Sequence, residues 1–240
     1  MSIKRAKQMS ESIEVGIILA LAGGFMDAYS YLCRNHVFAN AQTGNILLLG
    51  IHLAERNWSD AVRYFFPIVS FILGIALADM VKMKMSNCNI VHWRQIAVVC
   101  ETVILIGVSL IPQRWNLYAN SFTSLACGIQ VESFRKIHGQ GIATTMCIGN
   151  LRSATQNMCE YFDSKNKTAA RRGLLYYGII FSFVIGAVMG NVMIQLWKEK
   201  AIAVCGGILL LTVVLMGIDR ENSEAVSYTH LRAHETSAHL

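Results

Sequence analysis

Long apolar runs alternate with short polar breaks along most of this chain. A bilayer core about 30 Å thick takes about 20 residues of α-helix, with about 17 a working minimum. Six runs meet that length: 14–33, 61–81, 96–112, 116–134, 172–196 and 201–218. The third and fourth are joined by Pro112, Gln113, Arg114 and Trp115, a tight turn between helices. Two further stretches fit less well. Thr43-Gly44-Asn45 leads into an apolar stretch that ends near Ala54, too short to cross. Gly149-Asn150 lies within IATTMCIGNLRSATQNMCEYF, which is polar throughout. Both are expected to be re-entrant or broken helices.

The two halves of the chain look alike. LAGGFMD (Leu21 to Asp27) parallels LACGIQVE (Leu125 to Glu132) with a one-residue shift. Gly44-Asn45 parallels Gly149-Asn150, FILG at 71–74 parallels FVIG at 183–186, and Asp79 aligns with Asn191. Each half then reads helix, re-entrant segment, helix, helix. Three spans is an odd number, so the second half is inverted relative to the first, a pattern of transporter and channel folds. The expected fold is therefore an all-α integral membrane protein. Six transmembrane helices form two inverted-topology halves, each with a short re-entrant or broken helix. Residues 1–13 form a basic cytoplasmic N-terminus, 14–112 the first membrane half, 113–219 the second, and 220–240 a tail.

Composition agrees. Hydrophobic residues make up 54% and charged residues 15%, with a mean hydropathy of +0.42. Soluble domains run at about 25% charged, and disorder and coiled coil are excluded with them. The net charge of +6 would favour nucleic acid in a soluble protein. Here the basic residues flank the apolar runs, and none interleave with exposed aromatics as a single-strand binder needs. No nucleic-acid partner is expected. With six spans and the N-terminus inside, fifteen of the 21 Lys and Arg residues fall inside. Arg34, Arg56, Arg63, Arg114, Lys198 and Lys200 fall outside. Eight crossings would split the charges more evenly. The charge rule thus favours six spans, with both termini cytoplasmic. The basic N-terminus followed by apolar residues from Val15 resembles the start of a signal peptide. The run is too long, and no A-x-A site follows it, so it reads as an uncleaved first span. The 7 cysteines form no C-x-x-C pair, and no metal site, disulfide or cofactor is expected.

Several residues could carry chemistry. Asp27 stands in an otherwise apolar span, where an ionisable group is a functional candidate by default. Glu132 holds the equivalent place in the second half. Both are expected as proton- or cation-coupling groups. Glu101 and Asp79 read as interfacial acids that pair with Lys82, Lys84 or Arg94. Asn40, Gln42, Thr43, Gly44 and Asn45 form a polar start to a short helix, matched by Gly149 and Asn150. A half-helix start presents free N–H groups and a partial positive charge, and irregular backbone at membrane depth is tolerated where it lines a cavity or is buried in protein. These seven residues are the expected solute-binding set. His36 and His138 lie in connecting loops, where a proton role or plain solvation are both open. Small residues recur in the spans, at Gly16, Gly23, Gly24, Gly74, Gly178, Gly186 and Gly190 among others, as close helix packing needs. There is no Walker loop, G-x-S-x-G or H-E-x-x-H, and no enzyme is expected.

The run GGFMDAYSYLCRNHVFANAQTGNILLLGIHLA, from Gly23 to Ala54, resembles the YoaK-type family of bacterial inner-membrane proteins (domain of unknown function 1275). Arg63 followed by FILGIALAD, and GNL at Gly149 to Leu151, fit the same pattern, so the resemblance spans about residues 12–219. It implies a six-span bacterial inner-membrane protein of about this length and supplies no function. VSYTHLRAHETSAHL, from Val226, resembles translated sequencing-adapter read-through, and its histidines do not read as a metal cluster. The functional expectation is a small secondary transporter or channel for a small polar solute or anion, with proton coupling through the carboxylates. A chain this small could need a second copy to form a stable pathway. The alternative is a non-transporting scaffold or assembly subunit whose polar residues only pair helices.

Overall fold

The computed structural model describes residues 12–85, 93–137 and 140–217. Each of the six apolar runs folds as a helix. These are α1 (Ile13–Cys33), α3 (Trp58–Met85), α4 (Trp93–Ser109), α5 (Asn116–Ser133), α7 (Lys167–Trp197) and α8 (202–217). The two ambiguous stretches are also helical, as α2 (Gln42–Ala54) and α6 (Cys147–Ser164). No strand occurs among the described residues. His138, the N-terminal residues 1–11 and everything from residue 218 lie outside them.

Local signals set several boundaries. Ser12 caps α1, its side chain accepting the Val15 amide at 3.2 Å. Asn166 does the same for Thr168 at the start of α7, at 3.0 Å. Pro112 precedes a 3-10 turn (Gln113–Trp115) that links α4 to α5. Three helical stretches are both long and apolar enough to cross a bilayer: α1, α3, and the 51-residue run Lys167–Gly217 that contains α7 and α8. The other helices fall short for physical reasons. α4, with 17 residues, stands at the lower limit of length for a span. α5 carries Asn116, Asn120, Thr123, Ser124, Gln130 and Ser133, all buried. That face packs against protein rather than lipid. Asn120 donates to the Arg34 carbonyl at 2.6 Å and Gln130 to the Leu19 carbonyl at 2.9 Å, so α5 grips the backbone of α1.

The main packing pairs are α1 with α7 and α3 with α5. Both cross at glycine. A side-chain carbon on Gly24 would overlap the Phe183 carbonyl, and one on Gly186 the Leu21 carbonyl. At the other crossing, carbons on Gly74 and Gly128 would overlap the carbonyls of Leu125 and Phe71. Glycine lets the backbones touch, which is how helices associate without a hydrophobic drive. Gly178 faces open space and has no such role. Because α1 and α3 pack on α7 and α5, the segments 14–112 and 113–219 interlock.

Large apolar side chains lie on both sides of the helices. Phe25, Tyr29, Leu105 and Ile202 are inside, while Val103, Leu110, Ile148, Phe181 and Val188 are exposed. An outer surface of this kind suits lipid.

Two charged residues depart from the sequence expectation. Arg34, expected in an outside loop, is fully buried. Its Nε donates to the Tyr29 hydroxyl at 2.8 Å, and its terminal nitrogens donate to Asn116 Oδ1 at 3.0 Å and to the carbonyls of Val108 and Ile111 at 3.3 and 2.7 Å. The cation thus sits on the negative end of α4, and its planar fork serves four acceptors. Glu101, expected to pair near the interface, is completely buried, and neither carboxylate oxygen has a hydrogen-bond partner. Asp79 does pair with Lys82, at 3.5 Å.

Candidate functional site

The chain leaves α1 and folds back through residues 34–41 before α2 begins. Tight hydrogen bonding holds this return. Asn45 Nδ2 donates to the Phe38 carbonyl at 2.7 Å, and the Phe38 amide donates back to Asn45 Oδ1 at 3.0 Å. Asn40 Nδ2 donates to the Gly23 carbonyl at 3.1 Å. Gly44 lies against the Phe38 ring, which a side-chain carbon there would overlap. The second half repeats the device: Asn150 Nδ2 donates to the Ala143 carbonyl at 2.6 Å, also seven residues back. Asn45, Gly44 and Asn150 therefore clamp the loops that precede α2 and α6.

Those loops deliver the starts of α2 and α6 to one cavity of about 820 Å³ beside α1 and α7. Asp27, Asn40, Gln42, Thr43 and Gly149 line it, together with Thr145 and Asn191. Cavities of about 300–1,000 Å³ hold small-molecule ligands. Asp27 is half-buried, and its carboxylate accepts the Asn40 amide at 2.7 Å. The amides of Ala39 and Ala41 lie against it too. Asp27 thus stands at the positive end of α2. The rest of the wall is apolar, including Leu32, Phe183, Val184 and Val188.

Of the nine residues expected at the site, five line this cavity and three hold its loops. Glu132 lies apart from it, 3.3 Å from Arg135 and 3.7 Å from Lys82. His36 stacks edge-on against Tyr31 in the loop after α1. Sequence reasoning missed Thr145, which stands 105 residues after Asn40, the spacing that relates Asn45 to Asn150. It missed Arg34 as well, because nothing local shows that the end of α1 folds over the end of α4.

Buried glycine crossings, an apolar outer surface and a largely apolar cavity that holds Asp27 and the starts of α2 and α6 define an α-helical membrane protein. The chain belongs to the family described as "Protein of unknown function (DUF1275)", which it matches over residues 15–215. It is 25% identical over 183 residues to UPF0700 transmembrane protein YoaK of Bacillus subtilis (strain 168), covering 72% of this chain and 79% of that protein. No solved structure matches.

Proposed function

We propose that this protein is a small secondary transporter of the bacterial inner membrane, moving a small polar solute through the cavity at Asp27. One observation carries the reading: two half-helix starts from different halves of the chain, and one intramembrane carboxylate, line the same cavity. Substrate sites of secondary transporters are built from discontinuous helices in this manner. Asp27 is the coupling group in this reading, alternating between its amide partners and the solute. Glu132, held by Lys82 and Arg135, is assigned to ion pairing.

Six spans in two inverted halves are part of the same proposal. The glycine crossings support it, since Leu21–Gly24 meets Phe183–Gly186 as Leu125–Gly128 meets Phe71–Gly74. The paired Asn45 and Asn150 clamps support it again. Alternating access would then be a rocking of one interlocked pair against the other.

The test is reconstitution of the full chain into liposomes loaded with a pH dye. The expected result is proton movement driven by a polar solute and lost in Asp27→Asn. If a broad panel of labelled polar solutes shows neither proton movement nor flux above empty liposomes, the transport reading fails.

A further inference from the structure

The two half-helix starts facing the cavity are not equivalent. At α2 the positive end already has an anion, Asp27. At α6 no acid takes that place among the described residues. Its N-cap, Met146, makes no side-chain hydrogen bond, and no Asp or Glu stands in the first turn. Glu132, the acid that parallels Asp27 in the second half, is engaged with Lys82 and Arg135 instead. Beside this open start, Thr145 lines the cavity at 4% exposure, and its hydroxyl has no hydrogen-bond partner. Near Asp27, Asn40 lines the cavity at 3% exposure with an unpartnered Oδ1.

The charge balance follows. A helix start carries about half a positive charge. Asp27 with α2 leaves a net negative end, and α6 leaves a net positive one. No Lys or Arg lines the cavity among the described residues. Asp27 and Cys147, the first residue of α6, are near enough to interact electrostatically. A simple anion at this site would face Asp27, and a simple cation would face the start of α6.

We infer that the cavity takes a zwitterion with an apolar body, an amino-acid-like solute. Its ammonium meets Asp27 and Asn40 Oδ1. Its carboxylate meets the Thr145 hydroxyl and the free amides at the start of α6. Its apolar part lies along Leu32, Phe183 and Val188. The inference rests on the transport reading only in using the same cavity, since binding does not require transport.

The test is isothermal titration of the full chain in nanodiscs with three probes of one shape. Leucine is the zwitterion, leucinamide at pH 6 lacks the carboxylate, and N-acetylleucine lacks the ammonium. Leucine is expected to bind at least about ten-fold more tightly than either. Asp27→Asn should erase its advantage over N-acetylleucine, and Thr145→Val should reduce its advantage over leucinamide. Thr145→Val is the milder change and keeps the test informative if Asp27→Asn fails to fold. Equal binding of the three probes, or a leucine preference untouched by both variants, overturns the inference. Cation- or anion-selective binding also overturns it. Leucine binding without flux would sink the transport reading and leave this one standing. Flux of another solute without leucine binding would do the reverse.

Discussion

At the scale of single residues, buried polar groups separate into those that are satisfied and those that are not. Arg34 is satisfied by four acceptors on α1, α4 and α5 and the turn after α4. Arg34→Met should therefore destabilise the protein by about 3 kcal/mol or more, because it leaves several buried acceptors unpaired. Arg34→Lys should not restore stability, since a point charge cannot serve a planar fan of acceptors. Thermal melting in detergent reads both. Glu101 is the opposite case. Neither of its buried carboxylate oxygens has a hydrogen-bond partner, so Glu101→Met, which removes the unpaired polar group and keeps the volume, should raise stability by about 1–3 kcal/mol. An intramembrane acid is visible in the letters as a charge inside an apolar run. Its partner is not, which is why the sequence suggests Lys82, Lys84 or Arg94 beside Glu101 whereas the fold buries it without a hydrogen-bond partner.

At the scale of elements, the helices were legible and their neighbours were not. The length of an apolar run fixes a span to within a few residues, because bilayer thickness and helix rise set it. The Gly and Asn positions in α2 and α6 were legible as special, but their work differs. Asn45 and Asn150 fasten the preceding loop, whereas Gln42, Thr43 and Gly149 line the cavity. Asn45→Ala should cost about 1–3 kcal/mol through the Phe38 backbone groups it leaves unpaired, measured by melting. The glycine crossings make a sharper prediction. Gly24→Leu and Gly128→Leu should each prevent close packing and cost at least about 3 kcal/mol, whereas Gly178→Ala should be silent. Yield of monodisperse protein after extraction separates the two outcomes. All three glycines sit in similar apolar text, and only their neighbours tell them apart.

At the scale of the whole molecule, the path of the chain across the bilayer makes a direct prediction. With six spans and α2 re-entrant, the α2–α3 turn returns to the outer face, and the α6–α7 turn to the inner face. Glu55→Cys, at an exposed site, should react with an impermeant maleimide in intact cells, while Lys167→Cys should react only after the cells are opened. Eight crossings would reverse the Glu55→Cys result and leave the Lys167→Cys result unchanged, so Glu55→Cys decides between them. The same arrangement explains why α5 can be polar: Asn120 and Gln130 donate to carbonyls at the end and middle of α1, and Thr123 to its own helix at Ala119, not to lipid. An unsatisfied polar group in hydrocarbon costs several kcal/mol, so this helix is stable only inside the bundle.

Composition and apolar run length were enough to establish a membrane protein, its helices and the unusual character of the two Gly-Asn segments, because these follow from local chemistry and a fixed bilayer thickness. The Gly-Phe-x-Asp and Thr-Gly-Asn text was enough to point to the family. Contact between distant parts of the chain is a different kind of fact. That Asp27 stands at the start of α2, that α6 opens on the same cavity with no acid of its own, that Arg34 is buried and Glu132 lies apart, all depend on where helices cross. Those crossings are set by glycine contacts between residues about 50 to 160 positions apart, and no local pattern of letters carries that separation.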